Sequence, residues 1–348
     1  MNLIRRALLL IPFFSFFTIG FSLPAKGQTD SRTEDSFGSQ DISAVKEQMT
    51  PLENHNTQYF PETLAFLAHY SADQVPGPLE FGWFLSEERK IAAYLFRTPG
   101  EPAAGTVYLL HGYLDHSLSN TGVIRFLVEH NYNVAAFDLP GHGMSEGVPV
   151  DIDDFSEYAF CLKRFKALTE SSLEGPFFAL GHSTGSSVIL EYTNLYENDF
   201  KALILTSPLV KNFAWRLTAL GLFLGDPFMD DIKRRFGGSS SNEEFEYFTE
   251  HNDPLQSQRI PFHWIYANTN WIKRMEQIPP REDLVFHILQ GRKDTVVDYR
   301  HNIPFLMEKY PHSDVIYYDE GEHSLFNEIP ALRHKVYQDI LTILELKG

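Results

Sequence analysis

A serine flanked by glycines, Gly181-His182-Ser183-Thr184-Gly185, is the first chemical signal in the chain. The pattern G-x-S-x-G puts a serine on a sharp strand-to-helix turn, with its hydroxyl lifted above the sheet. The glycines let the backbone fold closely around it. Phe177-Phe178-Ala179-Leu180 reads as the strand, and residues 186–192 read as the helix. A serine hydroxyl is a weak nucleophile until a histidine takes its proton, and that histidine needs a carboxylate to orient it. In the α/β fold that carries its serine on such a turn, acid and then base follow it along the chain. This order prunes the 14 histidines sharply. The expected acid is Asp294, just past the apolar run 284–289 and Gln290-Gly291. Its rival, Asp298, is better placed as the N-cap of the next helix. The expected base is His323, in the loop Asp319-Glu320-Gly321-Glu322-His323 after the run 315–318. An attacked carbonyl also needs two amides for its oxyanion. Thr184, at a helix start, and Tyr113, in the loop His111-Gly112-Tyr113-Leu114-Asp115-His116, are the candidates, both acting through backbone. His111 is expected to brace that loop. His182 is expected to point away from the serine hydroxyl. The implied chemistry is acyl transfer, with no metal and no organic cofactor.

The elements that must position these residues are legible as an alternation. Residues 79–85 and 91–96 flank the charged turn Ser86-Glu87-Glu88-Arg89-Lys90 and predict an antiparallel hairpin. Mostly apolar runs at 106–110, 134–137, 177–180, 202–205, 284–289 and 315–318 predict strands buried on both faces. Helical patterns at 117–130, 151–169, 184–196, 301–310 and from 330 separate them. Such alternation predicts an α/β fold, a mostly parallel sheet with helices on both faces. Residues 211–280 interrupt it. They carry Phe213, Leu217, Leu220 and Leu224 at helical spacing, besides Phe223, Phe228, Phe236, Phe245, Phe248, Trp264 and Trp271. The expectation is a helical cap inserted over one end of the sheet.

Composition narrows the class further. The 29 phenylalanines supply core and also suit an apolar pocket. The net charge of −17 argues against a nucleic-acid partner and against electrostatic docking on anionic lipid. Cys161, the single cysteine, allows neither an internal disulfide nor a cysteine-based zinc site, and is expected to be a buried thiol in the helix 151–169. Arg5 and Arg6, the apolar run 7–21 and Ala25-Lys26-Gly27 read as an export signal over residues 1–27, cleaved before Gln28. The run is shorter than the roughly 20 residues of a membrane span. Loss of Arg5, Arg6 and Lys26 would take the charge from −17 to −20. Residues 28–50 are polar and read as a flexible linker. The main domain would then be 51–348, exported to a periplasm or the exterior, with an uncleaved N-terminal anchor as the alternative.

With these residues in hand, the chain resembles the monoacylglycerol lipase and lysophospholipase branch of the α/β-hydrolase superfamily. His111-Gly112 is similar to that branch's oxyanion motif. Asp138-Leu139-Pro140-Gly141-His142-Gly143-Met144-Ser145-Glu146-Gly147 resembles its D-x-x-G-H-G-x-S-x-G segment, the most specific match. The segments 181–185, 291–298 and 321–328 resemble its elbow, acid loop and histidine loop. The resemblance covers residues 79–345. It implies Ser183 as nucleophile, Asp294 and His323 as partners, Tyr113 and Thr184 amides as the oxyanion hole, and a structural role for His142. It implies a lipid-like or small ester substrate whose acyl group the cap receives. Separately, the apolar face carrying Phe213, Leu217, Leu220 and Leu224 would allow weak membrane-surface contact through the cap. Two other readings stay open. A proline-iminopeptidase-like aminopeptidase would use cap acids among Asp226, Asp230, Asp231, Glu243 and Glu244 to hold an amine. A non-catalytic ligand-binding protein could be built on the same fold.

Overall fold

The computed structural model describes residues 38–100, 102–213 and 230–348. The expected signal 1–27, the start of the expected linker and most of the amphipathic stretch 213–224 lie outside the described residues. The compact unit Phe37–Gly348 contains every element below.

Eight strands form one sheet: β1 (Leu79–Ser86), β2 (Arg89–Phe96), β3 (Gly105–Leu110), β4 (Tyr132–Phe137), β5 (Phe177–His182), β6 (Ala202–Thr206), β9 (Phe286–Gly291) and β10 (Asp314–Tyr318). Their spatial order is β1-β2-β4-β3-β5-β6-β9-β10. β2 runs antiparallel to β1 and β4, and the remaining pairs are parallel. Burial on both faces explains the unbroken apolar runs. Tyr108 and Leu110 of β3 join one core with Ala135 and Phe137 of β4, while Val107 and Leu109 join the other with Val134 and Ala136. The first core is covered by α4 (Phe155–Thr169) and α5 (Thr184–Leu195), the second by α3 (Thr121–Glu129) and the C-terminal helix Pro330–Lys347. Asp154 caps α4, accepting from Ser156 N–H at 2.8 Å while Glu157 reaches back to the Asp154 amide. Cys161 of α4 is buried, and burial pushes its thiol pKa up to about 12.

Two expectations need correction. The polar stretch 28–50 is not all linker, because Ser39–Gln48 is a helix, α1. Its polar composition hides an apolar stripe, Ile42, Val45 and Met49, that packs on the second core. Gln48 bonds Thr63 and Glu62 of α2 (Pro61–His69). The cap is also not wholly helical. A short antiparallel ribbon, β7 (Asp231–Lys233) with β8 (Arg259–Pro261), accompanies the cap helices Glu243–His251 and Phe262–Gln277.

Candidate active site

Ser183 stands between the last residue of β5 and the first of α5. Its φ of 52° and ψ of −112° are rare for a residue with a side chain, a strain characteristic of functional turns. The turn closes tightly because Gly185 lacks a side chain: a Cβ there would lie 2.2 Å from the Leu110 carbonyl oxygen. Ser183 N–H donates to Thr206 O at 2.9 Å, tying the elbow to the end of β6.

Asp294 and His323 come together beside that strand end. His323 Nδ1 lies 2.9 Å from Asp294 Oδ2. The other carboxylate oxygen, Oδ1, accepts from Val296 N–H at 2.8 Å and Val297 N–H at 3.0 Å. Gln290 Nε2, at 3.1 Å, completes the set around Oδ2. Burial works to raise the Asp294 pKa, but the His323 imidazole and these hydrogen bonds outweigh it and hold the group below the ordinary aspartate value. An ionised Asp294 accepts the Nδ1 proton of His323, which leaves Nε2 as the basic nitrogen. Ser207 Oγ donates to His323 O at 2.7 Å and fixes the histidine loop to the segment after β6. Among the described residues the Ser183 hydroxyl makes no hydrogen bond, and such contacts are often long until substrate binds. Ser183 is 6% exposed, Asp294 2% and His323 6%, so the three are sequestered from bulk water. Asp298 caps the helix Tyr299–Lys309, accepting from His301 N–H, and belongs to that helix rather than to His323.

The loop after β3, where one oxyanion amide is expected, lies against the elbow. A Cβ on Gly112 would approach Ser183 Cβ and His182 Cδ2 to 3.2 Å, so only glycine allows this contact without displacement. His111 Nε2 accepts from Leu139 N–H at 2.8 Å, and its Nδ1 meets Gly112 O at 2.7 Å. Burial lowers the His111 pKa, in keeping with the neutral ring that accepting this bond requires. The Tyr113 amide donates to no acceptor among the described residues. Thr184 opens α5, where backbone amides have no partner one turn earlier.

The segment 138–147 is a brace. Asp138 accepts from Ser117 N–H at 2.8 Å and Met144 N–H at 2.9 Å, and Tyr94 Oη bonds it at 3.2 Å. Ser145 Oγ accepts from Ala92 N–H and donates to Asp138 O. His142 Nδ1 lies 2.9 Å from Pro140 O, and burial lowers its pKa to about 3, leaving a neutral structural ring.

In the described part of the cap, three of the aromatic residues that stood out in the sequence pack it to the body. Trp271 Nε1 donates to Glu191 at 2.9 Å, and Trp264 Nε1 to Tyr158 Oη at 3.2 Å. Phe248 packs on His69 and Tyr70. Of the acids that an amine would need, Asp231 pairs with Arg259, Asp230 is exposed, and Glu243 and Glu244 are exposed in the first turn of a cap helix. Asp226 lies outside the described residues. No group of three or more His, Cys, Asp or Glu suited to a metal occurs among the described residues. None of their helices is long and apolar enough to cross a membrane.

Sequence reasoning missed Gln290 and Ser207. Their parts depend on tertiary contacts, and no local motif marks them.

Comparison with known proteins agrees with this architecture. The model of a family described as Hydrolase_4, serine aminopeptidase S33, matches residues 101–330. The chain is 28% identical over 262 residues to the "Monoglyceride lipase" of Rattus norvegicus, covering 72% of this chain and 86% of that one. It is 22% identical over 302 residues to the "Probable lysophospholipase L2" of Haemophilus influenzae, covering 76% and 92%. In three dimensions it is similar to a soluble variant of monoglyceride lipase from Saccharomyces cerevisiae, with a TM-score of 0.69. That likeness covers 79% of this chain and 97% of the other at 18% identity, a likeness of fold.

Proposed function

Because the chain belongs to the Hydrolase_4 (serine aminopeptidase S33) family of α/β hydrolases, we propose that it hydrolyses carboxylic esters of fatty acids, of the monoacylglycerol or lysophospholipid kind. The observation that carries the mechanism is the 2.9 Å contact of His323 Nδ1 with a buried, hydrogen-bonded Asp294. It frees Nε2 to take the Ser183 proton as the hydroxyl oxygen attacks the ester carbonyl. The carbonyl oxygen becomes an oxyanion held by the Tyr113 and Thr184 amides. Collapse expels the alcohol, which receives the proton from His323. Water, deprotonated by the same nitrogen, then releases the acid and restores Ser183.

The decisive experiment is labelling of residues 28–348 by a fluorophosphonate probe beside Ser183→Ala. Labelling of the parent protein alone supports an activated serine. No labelling of folded parent protein would discard the mechanism and favour a ligand-binding role. Monoacylglycerols, p-nitrophenyl esters of rising chain length and aminoacyl amides then separate lipase from aminopeptidase. The family's description favours testing the amides. The likeness to the monoglyceride lipase and lysophospholipase relatives favours the esters.

We further infer that residues 1–27 direct export and that the cap touches lipid surfaces. Exposed Phe213 and Val296, joined by the Phe213 N–H to Val296 O bond, support the second reading. N-terminal sequencing of exported protein should begin at Gln28. Co-sedimentation of residues 28–348 with neutral vesicles should weaken in Phe213→Ser.

A further inference from the structure

Three residues of the oxyanion loop are each held by a different part of the cap. The Tyr113 ring stacks on Trp264 of the cap helix Phe262–Gln277, with centroids 3.7 Å apart and planes inclined by 14°. The Leu114 carbonyl accepts from Arg234 Nη1 at 3.2 Å, just past β7. His116 Nε2 lies 3.0 Å from Asp253 Oδ2, in the loop between the cap helix Glu243–His251 and β8. These supports are themselves linked. Gln256 accepts from Arg234 Nη1 at 2.5 Å and donates to Asp253 Oδ2 at 2.7 Å. Tyr70, from the N-terminal extension, donates to Asp253 Oδ1 at 2.7 Å. The body holds the loop elsewhere, through His111 with Leu139, Ser117 with Asp138, and Tyr113 Oη with Val150 O.

Leu114 makes the middle of this loop the vulnerable part. Its φ is 59°, a left-handed conformation that a leucine rarely adopts. A strained residue persists only where its surroundings over-determine it. The carbonyl that Arg234 holds lies two peptide groups beyond the Tyr113 amide, so release of Leu114 would let that amide swing. Arg234 has no carboxylate within ion-pairing distance among the described residues, and its guanidinium lies over the Phe236 ring at 4.3 Å. Burial lowers its pKa below the ordinary arginine value, opposed by the charges of Asp115, Asp253 and Glu246.

We propose that the cap is the brace of the oxyanion hole, with Arg234 the positioning residue that holds Leu114 and thereby aims the Tyr113 amide. The inference rests on the reading of Tyr113 N–H as an oxyanion donor. It gives the cap a part in the chemical step as well as in substrate binding.

The test replaces Arg234 by Met, which keeps an unbranched stem and removes the donors, and by Lys, which can still donate to Leu114 O. Turnover of p-nitrophenyl butyrate should fall about 10- to 100-fold in kcat for Arg234→Met with KM little changed, as expected when a reacting group is displaced by about 1 Å. Arg234→Lys should recover part of that loss. A trifluoromethyl ketone, whose adduct with Ser183 places an oxyanion in the hole, should lose affinity by the same factor. The matching alkyl ether, which forms no oxyanion, should bind as before. Unchanged kcat in folded Arg234→Met overturns the proposal. Equal weakening of ketone and ether also overturns it, since Arg234 would then only line the binding site. Gln256→Leu cuts the support one link back and should give a smaller loss of the same kind, which keeps the test alive if Arg234→Met does not fold. Failure of the parent protein to react with fluorophosphonate would appear before any cap variant is made and would remove the premise itself.

Discussion

The ring of His182 packs against that of His323, with centroids 4.8 Å apart and planes inclined by 51°. His182 Nδ1 lies 3.5 Å from Thr206 Oγ1, and the ring also meets Phe326. His182 therefore forms a wall against which the proposed base stands. Burial, aided by the neighbouring His323, pushes its pKa well below the ordinary histidine value. A second cation so close would oppose the imidazolium that the proposed mechanism forms on His323.

A neutral wall exerts little field, so His182→Phe should leave the acidic limb of the pH profile of kcat/KM in place while changing kcat modestly. The profile is read from ester hydrolysis between pH 5 and 9. Displacement of the limb upward by about one pH unit, equivalent to about 1.4 kcal/mol, would mean that His182 carries charge in the parent protein.

Asp294→Asn keeps the shape of the acid but can no longer fix the Nδ1–H form of His323. Activity should fall about 10⁴-fold with KM little changed, the expected loss when the orienting carboxylate of such a triad becomes an amide. Asp298→Asn, altered only at a helix cap, should retain most activity. Comparable losses in the two variants would reassign the acid.

The buried pair of His116 and Asp253 should imprint a pH dependence on stability. Burial opposes the charge on His116, but Asp253 prevails and raises its pKa to about 9. Burial likewise works to raise Asp253, and His116, Tyr70 and Gln256 bring it down to about 2. A raised histidine stabilises fully below its unfolded value near 6.5, and the benefit is lost as pH rises through 9. The lowered aspartate stabilises above its unfolded value near 3.8, and that benefit is lost as pH falls toward 2. Asp253→Asn should cost about 3–5 kcal/mol at neutral pH, as breaking a buried pair does. It should also flatten the decline of Tm between pH 6.5 and 9. Parallel Tm curves for the two proteins across that range would show that the pair carries no such linkage.

Cys161 should be inert in the folded protein. Its thiol is buried, lies 3.1 Å from Ser86 Oγ and has its pKa raised to about 12, so almost no thiolate forms at neutral pH. A chromogenic disulfide should leave native protein unmodified and titrate one thiol in denaturant. Rapid native reaction would show that α4 opens readily.

The packed stripe of α1 predicts that its residues contribute to stability despite their polar company. Val45→Asp should lower stability by several kcal/mol, since it buries an unpaired charge. Unfolding midpoints in urea measure this. A midpoint equal to that of the parent protein would restore the linker reading for this segment.

The sequence by itself determined the alternation of strands and helices, because strands buried on both faces carry consecutive apolar residues, as 107–110 of β3 and 134–137 of β4 do. It carries Ser183, Asp294 and His323 in the chain order of the α/β hydrolases that it resembles. It also marked Asp298 as a cap, a role set by the helix immediately after it. It misled at α1, where three apolar residues among polar ones are too few to outweigh composition until their partners are known. Only the tertiary structure decided what holds these groups. Gln290 completes the shell of Asp294, Ser207 ties His323 to β6, and His182 walls the histidine. The contacts of Arg234 with Leu114 and of Asp253 with His116 join residues 120 and 137 positions apart. Such contacts depend on where the cap folds back over the sheet, and local patterning carries no record of that distance.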